Sequence, residues 1–148
     1  NQLIAMSLKY SPVSEEVLPA VVRVVEKELL TKRGIRSLSP RDSRYKGIYD
    51  GYQVERDFAY HNGSAFPFLF GMYVEVCLRV KGASHLGKIE SLIEAFYEDL
   101  NKHGVGAFSE LYDGDPPHEP HGAISSALST AALLYVEYLL DKYREEEK

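Results

Sequence analysis

The sequence has one cysteine, no tryptophan and two methionines in 148 residues. A lone Cys77 excludes an intrachain disulfide, and its place in an apolar run reads as a buried, inert thiol in a reducing interior, so the expected setting is cytoplasmic. Basic clusters are also missing: the 17 Lys and Arg mix with 22 Asp and Glu to a net charge of -5, and none is interleaved with aromatics. That excludes a nucleic-acid face or an anionic-membrane face. No apolar run is long enough to span a bilayer comfortably; the uncharged stretch from 123 to 136 stops at Glu137. The N-terminus, Asn1 to Met6, has no basic region ahead of a long apolar segment and so does not read as a signal peptide. It also does not begin with Met, which leaves open that the chain is a piece of something longer.

What is present is an ordinary globular balance, 45% hydrophobic and 26% charged, sufficient for a single domain with its own core. Tyrosine is abundant at 11 residues. Rings that carry both a face and a hydroxyl suit sugars, and they equally fill helix interfaces. The implied partner is a neutral molecule or another protein.

Four helices are predicted. Leu3, Ile4, Met6 and Leu8 form a short apolar lead, stopped by Ser11-Pro12. Ser14 is a candidate N-cap, with Glu15 and Glu16 in the first turn. Val17, Val21, Val24, Val25 and Leu29 then recur at helical spacing as far as Lys32-Arg33-Gly34, with Pro19 as a candidate kink. Residues 35–63 lose this periodicity and predict a long irregular connection, a length more often functional than idle. Ser64 can cap a second helix to about Lys81-Gly82, apolar on nearly every side and therefore buried. A third, amphipathic helix runs from about Ser84 to Lys102, and the last, from about Ala123 to Tyr143, reads as a buried core helix. The pattern is all-α, inner apolar helices alternating with outer amphipathic ones in helical hairpins.

Chemistry concentrates between residues 108 and 122, where Ser109-Glu110-Leu111-Tyr112-Asp113-Gly114-Asp115-Pro116-Pro117-His118-Glu119-Pro120-His121 joins two helical segments. Acids and histidines on a connection held by a rigid scaffold are a usual place for binding and catalysis. Asp113, Asp115, His118 and His121 also admit a metal reading, although the helical zincin spacing is absent; the other reading is a stiff hydrogen-bonded turn. His61, ahead of a predicted helix, is either a ligand contact or a cap. Asp57 beside Arg56 is expected to form an ion pair, and it is also the one in-chain candidate for a second carboxylate.

Four blocks of sequence together resemble the C-terminal catalytic region of glycogen debranching enzymes, the amylo-α-1,6-glucosidase part. They are Asn1-Gln2-Leu3 with Ala5 and Ser7-Leu8; Gly34 to Pro40 with Tyr45-Lys46-Gly47 and Tyr49; Arg56-Asp57 with Ala59-Tyr60-His61-Asn62-Gly63; and Ser109 to His118 with Pro120, Gly122 and Ala123. The resemblance implies part of an (α/α)6 barrel, about a third to a half of it, as the C-terminal portion of a larger catalytic domain. It implies removal of α-1,6-linked glucose from a branched α-glucan by inversion, with Glu110 as general base. It also places sugar contacts on Asn1, Gln2, Arg36, Tyr60 and His61, and it puts Phe66-Pro67-Phe68 where the family usually has tryptophans, so that Phe66 keeps a stacking face but has no N–H to donate. The family's general acid is an aspartate from an earlier segment, which no block here matches. The chain alone is therefore expected to be inactive, and its exposed faces are expected to be covered by that earlier segment or by a second copy. No cofactor is implied. The rival readings are a non-catalytic maltooligosaccharide-binding or regulatory remnant and a metal-dependent helical enzyme.

Overall fold

The apolar run after residue 66 becomes the central helix of the chain. In the computed structural model, which describes residues 2–146, this helix spans Pro67–Lys81 and buries Leu69, Phe70, Tyr73, Val74, Val76, Cys77 and Leu78. Pro67 at its first position suits a turn whose N–H has no intrahelical partner. In chain order it is α4, after α1 (Gln2–Ser7), α2 (Leu18–Val24) and α3 (Gln53–Asn62), and before α5 (Leu86–Tyr97) and α6 (Ala127–Glu146).

α1, α2 and α6 pack on α4. Leu3 and Met6, then Leu18, Val21, Val22 and Val25, and finally Leu133, Val136, Leu139 and Leu140 supply their sides of one continuous core. α6 approaches closely at Gly71, where an added Cβ would lie 3.2 Å from the Ala132 methyl. α5 contributes Leu86, Ile89, Ile93 and Phe96 along one face, as its predicted amphipathic pattern requires. A charged anchor ties the turn just beyond its C-terminal end to the short hairpin that follows the π turn: Arg33 Nε lies 2.5 Å from Asp99 Oδ2, and both side chains are nearly fully buried.

The all-α expectation is corrected by five short antiparallel strands in the order β1 (Leu30–Thr31), β2 (Gly34–Arg36), β3 (Ala65–Phe66), β4 (Leu111–Tyr112) and β5 (Pro120–His121). Leu30 pairs with Ile35, Ile35 with Phe66, Ala65 with Tyr112, and Tyr112 with Pro120. Segments of two or three residues are too short to show the alternation that identifies a strand. Their pairing, supplied by distant parts of the chain, is what makes them strands.

Other boundaries shift for similar reasons. Ser14 accepts from Glu16 N–H as predicted, but it opens a 3₁₀ turn, Glu15–Val17, and Pro19 sits in the first turn of α2. α2 continues as a π turn, Val25–Leu29, and then becomes β1 instead of running to Gly34. Ser64 does not cap α4; its hydroxyl donates to the Ala59 carbonyl, and β3 intervenes. The long connection contains α3, which has one buried residue, Ala59, and so shows no apolar stripe. Nor is α6 buried all round. Leu128, Leu134 and Tyr138 are 60–70% exposed on one face. Cys77 is fully buried, and burial raises its thiol pKa. Among the described residues no helix is long and apolar enough to cross a membrane.

Candidate functional site

The sheet and the π turn border an open cavity of about 810 Å³. Its walls come from α1, the π turn, the segment after β2, the end of α3 and the start of α4. Gln2, Arg36, Tyr60, His61 and Phe66 all line it. One side is a run of aromatic rings: His61 to Tyr60 at 4.9 Å between centroids, Tyr60 to Phe66 at 4.9 Å, and Phe66 to Phe68 at 5.7 Å, each pair edge-on. Edge-to-face packing fixes each ring against the next. Arg36 is held by donation from Nε to Gly114 O at 2.8 Å and from Nη1 to Glu28 O at 3.4 Å.

Glu110 precedes β4 and extends the β4–β5 ladder by donating its N–H to Ala123 O at 3.0 Å. Its side chain folds back on the same connection. Oε2 accepts from Ala123 N–H at 3.0 Å, and Oε1 accepts from the Tyr60 hydroxyl at 2.9 Å. Burial of the ring, together with that bond, pushes the Tyr60 hydroxyl up to about 12, so it remains a donor at neutral pH. Gly122, at φ +71°, makes the fold-back possible: a Cβ there would stand 2.7 Å from Glu110 Oε2. Glu110 is half-buried and does not itself line the cavity; it stands beside it, bonded to a residue that does. A carboxylate held by two donors on opposite oxygens has a fixed orientation and keeps lone pairs free for a further partner such as water.

The rest of the connection is a clamp. Asp113 Oδ1 accepts from Tyr49 N–H at 2.7 Å, Asp115 Oδ1 accepts from the Tyr45 hydroxyl at 2.8 Å, and Gly114 N–H donates to Gly47 O at 2.7 Å. Lys46 N–H donates to Asn62 O at 2.8 Å, which brings the end of α3 to the same point. Gly63 and Gly114 meet there so closely that a Cβ on Gly114 would overlap the Gly63 carbonyl oxygen. His118 Nδ1 is 2.8 Å from Asp113 O, and His121 Nε2 is 3.0 Å from Asp113 Oδ1 without hydrogen-bond alignment. The acids and histidines that admitted a metal reading are thus engaged with backbone groups, with tyrosines and, for His121, with Asp113. Among the described residues no group of three or more His, Cys, Asp or Glu is placed to hold a metal ion.

The structure gathers five of the six predicted sugar contacts around one cavity; Asn1 lies outside the described residues. His61 is on α3, exposed toward the cavity mouth, and does not cap α4. The Arg56–Asp57 ion pair is not formed. Arg56 donates to Gly51 O at 2.6 Å, and Asp57 is exposed with no ion pair among the described residues, which also removes it from the cavity as a second carboxylate. Sequence reasoning missed Glu28, Ser39 and Arg41, which line the cavity together. Ser39 falls in a block that carried the resemblance. Glu28 gave no signal, because an acid on the flank of a valine-rich helix reads as solvated.

A family model described as amylo-alpha-1,6-glucosidase matches residues 1–135, which takes in the π turn, all five strands, the cavity walls and Glu110. The match covers most of the chain and includes every element that builds the site, so this chain belongs to the amylo-alpha-1,6-glucosidase family.

Proposed function

We propose that the chain supplies the base-bearing side of a glycoside hydrolase site that removes α-1,6-linked glucose from a branched α-glucan with inversion. Family membership supports the debranching context. The observation that carries the finer reading is convergence. Gln2, Arg36, Tyr60, His61 and Phe66 come from four separate elements, line one cavity, and are joined through the Tyr60 hydroxyl to Glu110.

In this mechanism Glu110 removes a proton from the attacking water. Inversion needs a general acid on the far side of the scissile bond, roughly 6.5–9.5 Å from the base, so that a water fits between. No carboxylate in the chain is assigned that role; it comes from an earlier segment of a larger (α/α)6 domain of which this chain is the C-terminal portion. The face of α6 bearing Leu128, Leu134 and Tyr138 supports that arrangement, since a stripe of large apolar side chains calls for a cover. We take the cover to be the same earlier segment, with a second copy of the chain as the alternative.

The test is Glu110→Gln in the native polypeptide that carries residues 1–148, with glucose release from a limit dextrin bearing single α-1,6-glucosyl stubs as the readout. Loss of a general base lowers turnover by about 10²–10⁴-fold while maltotriose binding persists. Normal turnover in the variant refutes the assignment. Binding without hydrolysis by the unmutated protein turns the reading to a sugar-binding remnant, and loss of wild-type turnover on adding a chelator turns it to a metal enzyme.

A further inference from the structure

The cavity has a charged wall that the reaction scheme above leaves without a role. It is built on the π turn, Val25–Leu29, where the widened helical repeat continues α2 before the chain passes into β1. π turns are rare and recur at functional sites. Glu28 lies in this turn with its side chain 15% exposed. Its Oε2 accepts from Ser39 Oγ at 3.0 Å and pairs with Arg41 Nε at 3.1 Å, while Oε1 has no hydrogen bond among the described residues. Its own carbonyl receives Arg36 Nη1. All four residues line the cavity, together with Phe66 and Phe68.

A tethered carboxylate beside a guanidinium is a poor feature for an apolar ligand, because both groups would be desolvated with nothing to replace the water. It suits a neutral polyol. One free carboxylate oxygen accepts from a hydroxyl, the remaining Arg41 N–H groups donate to its neighbour, and ring faces cover the C–H side of a pyranose. The tether matters because the Ser39 hydroxyl, with the more exposed Arg41 alongside, restrains the carboxylate before ligand arrives, so less side-chain freedom is lost on binding.

We infer that Glu28, oriented by Ser39 and Arg41, is a specificity-determining sugar contact that accepts a hydroxyl of the glucosyl chain through Oε1. This rests on the glucan reading of the cavity. The reacting bond is not assigned to it; its role is to discriminate a hydroxyl-bearing ring from other ligands.

The experiment is calorimetric titration of maltotriose into the native polypeptide and into its Glu28→Gln form, with thermal unfolding of each. A hydrogen bond to a charged group predicts a Kd about tenfold weaker in the variant, with the unfolding temperature retained. Equal affinity in the two proteins overturns the inference and leaves the glucan reading standing. If the wild-type protein binds no maltotriose, the glucan reading itself fails and this inference falls with it. If Glu28→Gln unfolds early, Ser39→Ala decides: it keeps the carboxylate and frees it to swing, so a few-fold weaker Kd supports the inference and an unchanged Kd overturns it.

Discussion

Gly122→Ala tests the geometry around Glu110 without touching the carboxylate itself. Two costs are built into the position. At φ +71° a non-glycine residue pays roughly 1–2 kcal/mol in backbone strain. The new methyl also stands 2.7 Å from Glu110 Oε2, 2.9 Å from its Cβ and 3.2 Å from its Cδ, where ordinary contact begins near 3.4 Å, so Oε2 must retreat by about 0.7 Å. That oxygen is the one held by Ala123 N–H. Displacement on the order of 1 Å in a reacting group costs about 100-fold in rate, so turnover on glucosyl-branched dextrin is expected to fall about 10–100-fold. Gly82→Ala is the control. It shares a positive φ of +62° but has nothing within 4 Å of its Cβ, so it carries the strain alone. Differential scanning fluorimetry should show both variants destabilised, Gly82→Ala by the strain alone, at about 2–4 °C per kcal/mol, and Gly122→Ala by more because of the added contact, while only Gly122→Ala loses turnover. Equal turnover in the two variants would refute the claim that Gly122 exists to make room for Glu110.

Gly114→Ala should be worse tolerated, because its Cβ would overlap the backbone carbonyl of Gly63, which has no side-chain torsion to relieve it; destabilisation of about 3 kcal/mol or more is expected in urea melts, and a variant as stable as the parent would contradict the clamp. At high pH, Tyr45, Tyr60 and Tyr112 have hydroxyls raised to about 12, first by burial. A pKa raised on folding gives stability that is complete below the unfolded value near 10 and lost as pH climbs through 12, so unfolding free energy should decline over that interval, with tyrosinate absorbance lagging behind that of the unfolded chain. At low pH the sign reverses for Glu26. Burial alone would raise its pKa, but hydrogen bonds from Lys81, Lys88 and Tyr73 outweigh it and hold it at about 2. Its contribution is present above pH 4.5 and fades as pH falls through 2; a Glu26→Gln variant should show a shallower acid decline, and an identical profile would remove Glu26 from the account.

How far these features could be read in advance depends on how local their causes are. α5 was legible because one-sided burial writes itself into the 3.6-residue repeat, and α4 because a long run apolar on nearly every side, Cys77 included, has to be buried. α3 was not, since it buries only Ala59 and is held by contacts at its ends, such as Glu55 Oε2 accepting from Tyr52 N–H at 2.7 Å. The two-residue strands could not be seen either. A pair such as Ala65 with Tyr112 has no meaning until segments 47 positions apart are brought together.

The candidate site divides along the same line. Sequence by itself determined the family, the position of Glu110 on a connection between two helical segments, and the residue types that line the cavity, because these are carried by chemistry in short contiguous motifs. Tertiary structure decided which of those residues share a wall. It joined Tyr60 to Glu110 across 50 positions, turned the acid and histidine cluster into a clamp, and set Glu28 opposite no motif at all but beside Ser39 and Arg41. Spacing along a chain fixes what is near within one helix or turn. Which separate segments meet is fixed by the packing of α1, α2 and α6 on α4, together with the pairing of five short strands, and that sum of many weak contacts has no single place in the sequence.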